Sequence, residues 1–269
     1  MKTRPVALTV AGSDSGGGAG ITADLKTFEA HGVWGTVAVV AVTAQNTLGV
    51  QAFETLPPSL VRAQVESVVR DIGVDAAKTG MLATAELVSA VAGAVRDTGI
   101  ARLVVDPVFV SKHGDTLLAD DAVGALRDEL LPLATVVTPN LPEAAALVAF
   151  EIGDRQAMEE AAKALAALGP EVVLVKGGHL AGDASPDCLV VDGEVRWLEG
   201  TRIPGRHTHG TGCVLSAAVT AELARGMEPA DACVAAKRFI EKAIAGGVEL
   251  GGGVGPVDPG WERALLPTT

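Results

Sequence analysis

Short apolar, β-branched runs alternate with longer stretches of helical spacing along almost the whole chain. Residues 6–11 form the first such run and end in a cluster of glycines. Residues 19–31 follow, with Ile21, Leu25 and Phe28 at i, i+4 and i+7 on one face of a predicted helix. Residues 33–42 read as a buried strand, 59–72 as a helix capped by Ser59, and 76–80 as a short strand. A helix is predicted over 84–98, with Thr84 as its N-cap and Gly99 just past its end. Residues 101–105 are an apolar strand running into Asp106-Pro107. A helix at 120–131, a strand at 135–138, helices at 141–150 and 155–168 and a strand at 171–175 continue the alternation. Residues 188–191 and 195–198 flank Asp192-Gly193, a strong hairpin signal. Two Ala-rich helices, 212–225 and 229–245, close the pattern. Repeated β-α units with one late hairpin predict an α/β fold: a mostly parallel sheet with helices on both faces. No linker, repeat or shift in composition interrupts residues 1–269, which read as a single domain.

Composition narrows the function classes. With 48% apolar and 20% charged residues the chain has a globular balance, and aromatics at 3% with no Tyr leave the core to Val, Leu, Ile and Ala. The net charge of −12 argues against a nucleic-acid partner, since polyanions are held by clustered Lys and Arg. A small anion can still be held locally by backbone N–H groups. Cys188, Cys213 and Cys233 are far apart, so neither a disulfide framework nor a zinc knuckle is expected, and a reduced compartment fits. The N-terminal apolar stretch is brief and meets Asp14. The longest apolar run, 33–44, falls short of the ~20 residues a membrane span needs. A cytoplasmic protein with no membrane partner is the expectation.

Ligands of open α/β sheets lie beyond the carboxyl ends of the strands, and polar residues gather there. The segments are Gly12 to Gly20, Gln45-Asn46-Thr47, Lys78-Thr79-Gly80-Met81, Asp106-Pro107-Val108, Thr138 to Glu143 and Lys176-Gly177-Gly178-His179. The first loop is neither a Walker A loop, since no Lys follows its glycines, nor a G-x-G-x-x-G fingerprint, since Ile21 stands at the third Gly. His207-Thr208-His209-Gly210-Thr211-Gly212-Cys213 opens an apolar helix. Successive N–H groups at such a mouth, helped by the helix dipole, make an anion hole suited to a phosphoryl group in transfer. Cys213 in that first turn reads equally as a thiol with lowered pKa and as a small packing residue. Cys188 and Cys233 read as packing residues. His207 and His209 have no third metal ligand nearby. Asn140-x-x-Glu143 reads either as a helix start or as a group organising hydrated Mg²⁺ beside phosphates. Lys176, buried after an apolar strand, needs an anion, and phosphate is a natural one.

Taken together, AGSDSGGGAGITADLKTF, TAQNTLGVQ, KTGML, VVDPV, TPNLPEAAAL, VKGGH and HGTGC resemble the hydroxymethylpyrimidine/phosphomethylpyrimidine kinases of thiamine biosynthesis, within the ribokinase-like superfamily. The resemblance runs from Ala7 to the glycine-rich 251–256, with the motifs in the family's order. It implies a three-layer ribokinase-like fold, ATP and Mg²⁺ as cofactors, and a homodimer. It also implies two phosphoryl transfers, first to the hydroxymethyl group of 4-amino-5-hydroxymethyl-2-methylpyrimidine and then to the monophosphate. By motif, Gly210, Thr211, Gly212 and Cys213 form the catalytic anion hole, with Cys213 as base where much of the superfamily has Asp. Gln45 would read the pyrimidine edge, and Asp24, Gly12, Ala19, Met81 and Val108 would line its pocket. Lys176, Asn140 and Thr208 would hold ATP phosphates, and Glu143 and Asp106 would serve the metal. Phe109 and Val110 fall in a segment that varies in the family. Relatives that phosphorylate pyridoxal tend to carry Met where Gln45 stands, so a pyridoxal kinase is the alternative. A nicotinamide oxidoreductase is disfavoured by the failed glycine fingerprint, and a non-catalytic metabolite sensor has no need of Cys213.

Overall fold

The computed structural model describes residues 3–109 and 121–262. Among these, eight strands form one sheet: β1 (Val6–Ala11), β2 (Trp34–Val39), β5 (Ala76–Thr79), β6 (Leu103–Val105), β7 (Val136–Val137), β8 (Val172–Val175), β9 (Asp187–Val191) and β10 (Glu194–Leu198). Their order is β10-β9-β8-β7-β6-β5-β1-β2. Every pairing from β2 to β8 is parallel, and β9 and β10 are antiparallel additions. Asp192 at φ 50° and Gly193 at φ 77° make the two left-handed steps of the β9–β10 turn.

Both faces are covered by helices. On one lie α1 (Gly20–Ala30), α7 (Thr211–Ala224) and α8 (Pro229–Ala245), and on the other α2 (Pro58–Asp71), α3 (Ala85–Thr98), α5 (Leu141–Val148) and α6 (Arg155–Ala166). Every residue of α7 from Val214 to Leu223 is buried, which is why its sequence is mostly small and apolar, with Ser216, Thr220 and Glu222 as its polar members. Cys188 and Cys233 are buried in opposite layers, as packing residues are. No helix among the described residues is long and apolar enough to cross a membrane.

The sequence expectations need three corrections. The apolar run 33–42 is not one strand: β2 stops at Val39, and the chain leaves the sheet to form an antiparallel hairpin of β3 (Ala41–Asn46) and β4 (Gly49–Thr55). Val40 stays anchored through its N–H to Ala11 and its carbonyl to Leu56. In β3, Ala41 and Thr43 are buried while Val42 and Ala44 are exposed, so small apolar residues stand on both faces and hide the alternation. Secondly, α2 begins at Pro58, with Pro57 as an N-cap that makes no side-chain bond, and Ser59 lies inside the first turn. Thirdly, the predicted 120–131 helix is a short α4 (Ala122–Ala125) that widens to a π-turn over Leu126–Leu130 and tightens to a 3₁₀ turn over Leu131–Leu133. Its first residue, Asp120, and Val110 lie outside the described residues.

Thr84 does cap α3, its hydroxyl accepting from Leu87 N at 3.3 Å, and Gly99 ends the helix at φ 69°. Thr84→Ala should cost about 1 kcal/mol and lower the melting temperature by about 2–4 °C. A calorimetric scan checks this, and an unchanged midpoint contradicts it.

The sheet order fixes where a ligand goes. From β1 the chain moves outward to β2, then returns past β1 to β5 on its other side. The loops leaving β1 and β5 therefore diverge at a topological switch point, the crevice where α/β sheets bind ligands.

Candidate active site

The glycine-rich loop after β1 is wound around one carboxylate. Asp14 accepts from Gly16 N at 2.8 Å, Gly18 N at 3.0 Å and Ala19 N at 2.8 Å. The imidazole Nε2 of His209 lies 3.0 Å from the same carboxylate. Burial opposes the charge on Asp14, but His209 and these amides hold its carboxyl below the usual range. Two glycines make this loop possible by close approach. A Cβ on Gly20 would lie 2.3 Å from Gly12 O, and one on Gly210 would lie 1.8 Å from Gly18 O. The first loop and the mouth of α7 are thus packed backbone to backbone.

Gly210, at φ 80°, is the N-cap of α7, and Thr211, Gly212 and Cys213 form its first turn. Thr208 supports the mouth, its carbonyl accepting from the Thr211 hydroxyl at 2.7 Å. A Cβ built on Gly212 would lie 3.4 Å from Lys176 Nζ and 3.9 Å from Asp106 Oδ2, so the first turn of α7 lies against these side chains. Lys176 Nζ donates to Asp106 Oδ1 at 3.0 Å and stands 3.8 Å from Glu143 Oε2. Burial opposes the charge of Lys176, but Asp106 and Glu143 keep it above the ordinary lysine value. Asp106 also accepts from Thr138 at 3.2 Å and Ser216 at 3.1 Å. Asn140 and Glu143 bond each other reciprocally, 2.7 Å from Asn140 N to Glu143 Oε2 and 2.9 Å from Glu143 N to Asn140 Oδ1. This is the capping box of α5. Burial, reinforced by Asp106, pushes the Glu143 carboxyl up to about 7. Among the described residues no three His, Cys, Asp or Glu side chains cluster as a protein-built metal site.

Cys213 departs from the lowered pKa that its helix N-terminus implies. Burial pushes its thiol up to about 12, with Asp24 and Asp106 adding to the rise against the pull of Lys78. The helix dipole is outweighed by the loss of water and two nearby carboxylates.

Lys78 is the residue that the sequence pattern leaves as a mere polar strand end. It is fully buried, and its Nζ donates to Asp24 Oδ2 at 2.9 Å. Burial opposes its charge, yet Asp24, Cys213 and Asp106 hold its pKa up. The motifs place Asp24 on the pocket wall. Its side chain is instead wholly buried, between Thr9 Oγ1 at 2.6 Å and Lys78, because an interior carboxylate needs a counter-charge. The other residues expected at the pocket lie on loops that leave β1, β5 and β6. A Cβ on Gly12 would lie 3.2 Å from Met81 Sδ, Ala19 is the N-cap of α1, and Val108 follows Asp106 in a tight turn. Gln45 arrives from the β3–β4 hairpin rather than from the sheet, with its amide nitrogen 3.4 Å from His209 Nε2. His207 Nδ1 accepts from Gly255 N at 3.1 Å, whereas His209 Nε2 meets Asp14.

A mostly parallel sheet whose switch point meets a glycine-lined helix mouth and buried lysines defines a ribokinase-like phosphotransferase. A model of the family described as phosphomethylpyrimidine kinase matches residues 14–258. The chain is 55% identical over 259 residues to the hydroxymethylpyrimidine/phosphomethylpyrimidine kinase of Streptomyces coelicolor, covering 96% of each chain. To the protein of the same description from Haemophilus influenzae it is 48% identical, covering 93% of this chain and 95% of the relative. Among solved structures it is similar to an ADP complex of Bacillus subtilis pyridoxal kinase, with 41% identity, a TM-score of 0.89 and 95% and 97% of the two chains covered. It is also similar to phosphomethylpyrimidine kinase from Clostridium difficile, with 40% identity, a TM-score of 0.80 and 90% and 100% covered. The chain belongs to the phosphomethylpyrimidine kinase family.

Proposed function

We propose that this chain transfers the γ-phosphoryl group of ATP to 4-amino-5-hydroxymethyl-2-methylpyrimidine, and then a second one to the monophosphate, giving the pyrophosphate used in thiamine biosynthesis. The observation that carries the reading is the mouth of α7: its glycine-lined first turn lies against Lys176 and Asp106, in a chain of this family. ATP use is supported by the solved pyridoxal kinases in complex with ADP and AMP-PCP.

In the first transfer the hydroxymethyl oxygen attacks the γ-phosphorus, the bond to the β–γ bridging oxygen breaks, and ADP leaves. Charge spread over the phosphoryl oxygens is met by the amides of Gly210, Thr211 and Gly212 and by Lys176. Thr208 and Asn140 hold further phosphate oxygens. The hydroxyl proton passes to the thiolate form of Cys213. Gly12, Ala19, Met81 and Val108 enclose the ring, Gln45 pairs with its amino and ring-nitrogen edge, and Asp24 acts beneath the wall through Lys78. Asp106 and Glu143 flank Lys176 where nucleotide phosphates would lie, which suits Mg²⁺ held by one or two carboxylates, phosphates and water. When bound, the ion neutralises phosphate charge. The working unit is the whole chain, 1–269, as one domain in the cytoplasm. Exposed Val42, Leu48 and Phe53 on the hairpin leave apolar surface for a second copy in a homodimer.

Phosphorus NMR of the product tests the function: a coupled pyrophosphate pair on the pyrimidine is expected, and a reaction that stops at the starting alcohol contradicts it. Glu143→Gln should raise the Mg²⁺ concentration for half-maximal turnover by about tenfold. A Mg²⁺ titration checks this, and superimposable curves for both proteins remove Glu143 from the metal's surroundings.

A further inference from the structure

Asp14, His209 and Gln45 form a connected line that the phosphoryl-transfer chemistry does not use. Asp14 is buried and already gathers three backbone amides, and His209 is buried against it. An ionised carboxylate only accepts hydrogen bonds. The His209 nitrogen that faces it, Nε2, must therefore carry a proton. The imidazole has little freedom to turn away. Its main chain is zipped to the 255–257 segment, with His209 N donating to Gly255 O and Val257 N donating to His209 O, both at 3.0 Å. A Cβ on Gly18 would lie 2.6 Å from His209 Cδ2 and 3.3 Å from its Nε2, so this edge of the ring is packed against that glycine.

Gln45 is held by the same loop. Its N–H donates to Ser15 Oγ at 2.8 Å, and Ser15 Oγ donates to its carbonyl at 2.7 Å. Its side-chain amide ends 3.4 Å from His209 Nε2. A planar amide fills the same space either way round, and its oxygen alone can accept from an N–H. We propose that Asp14 and His209 are positioning residues for substrate choice: the single Nε2–H of His209, donated to Asp14 and shared at longer range with Gln45, turns the Gln45 amide oxygen toward itself, because an NH₂ there would meet hydrogen with hydrogen, and leaves the NH₂ group to donate to a ring acceptor of the substrate. The second lone pair of the oxygen stays available to the amino group beside that acceptor. A ring that offers an acceptor nitrogen next to an exocyclic amine satisfies this orientation, and a ring that offers a hydroxyl and a methyl group does not.

The inference rests on the pyrimidine reading for the identity of the ring, while the proton on His209 does not, and the two are tested apart. In the free protein, ¹⁵N–¹H NMR of His209 should show Nε2 protonated over neutral pH; an unprotonated Nε2 overturns the proposal whatever the substrate. The second test is a double-mutant cycle of His209→Phe and Gln45→Met, read as kcat/KM for the pyrimidine alcohol and for pyridoxal. His209→Phe should lower the pyrimidine value about tenfold more than the pyridoxal value, the worth of one buried hydrogen bond. In the Gln45→Met background that excess should vanish. His209→Gln, which restores a donor near the Nε2 position, should recover most of it. Equal losses on both substrates, or the same excess without Gln45, would show that His209 serves only the anion loop. A wild-type enzyme with no pyrimidine turnover but with Nε2 protonated would overturn the substrate reading and the ring preference with it.

Discussion

Replacing Cys213 with serine should lower turnover of the pyrimidine alcohol by about 10²–10⁴, the usual worth of a positioned base, with little change in ATP affinity. The structure sharpens the expectation in two ways. With its thiol pushed up to about 12, Cys213 is protonated in the resting site, and the thiolate fraction near pH 7 is on the order of 10⁻⁵. That fraction grows tenfold with each pH unit, so kcat/KM for the alcohol should rise with pH across the neutral and alkaline range. The Cys213→Ser enzyme should lose that slope. The second phosphorylation is different, because the attacking phosphate oxygen is already ionised near neutral pH, its second pKa being about 6. No proton needs removal there, and the loss on the monophosphate should be far smaller than on the alcohol. Initial rates on both substrates between pH 6 and about 9 measure all three effects. Equal losses on the two substrates would show that Cys213 shapes the anion hole and takes no proton.

Gln45→Met should move the enzyme away from the pyrimidine. A side-chain amide carries both a donor and an acceptor, matching an edge where a ring nitrogen stands beside an amino group. Pyridoxal offers a phenolic oxygen and a methyl group, so one half of the amide is left unpaired on burial, at roughly 1–3 kcal/mol. That is about 5- to 150-fold in kcat/KM. Methionine removes the penalty along with the match. The pyrimidine should therefore lose that margin while pyridoxal holds or gains, as measured by kcat/KM for both substrates in both proteins. Parallel losses would make Gln45 a support of the hairpin and no reader of the ring.

The β-α alternation was readable because β1 and β5 to β8 are buried throughout: β6, β7 and β8 are unbroken Val and Leu runs, and β1 is broken only by Thr9, while β5 is an Ala pair followed by Lys78 and Thr79. The Asp192-Gly193 turn and the Thr84 and Gly99 ends of α3 carry local chemistry that needs no partner, and they were readable too. The β3–β4 hairpin was not. Val40 and Ala41 are as apolar as β2, and the step from sheet to hairpin is marked by hydrogen bonds to Ala11, Ser13 and Leu56 instead of by a breaker residue. In the site, the motifs named the mouth of α7, Lys176 and the Asn140–Glu143 pair, because each lies on one short segment. What they could not reveal were charges paired across the fold. Asp24 and Lys78 are 54 residues apart, and Asp14 and His209 are 195 apart. The Cys213 thiol follows the same rule: the local helix end points down, and carboxylates from α1 and from the end of β6 turn it up.

The central claim is tested most directly by following ADP release with the pyrimidine alcohol, its monophosphate and pyridoxal side by side, under one set of ATP and Mg²⁺ concentrations. The account predicts turnover on both pyrimidines, with kcat/KM for the alcohol above that for pyridoxal. Turnover on pyridoxal alone, or ADP release that none of the three compounds stimulates, would contradict it.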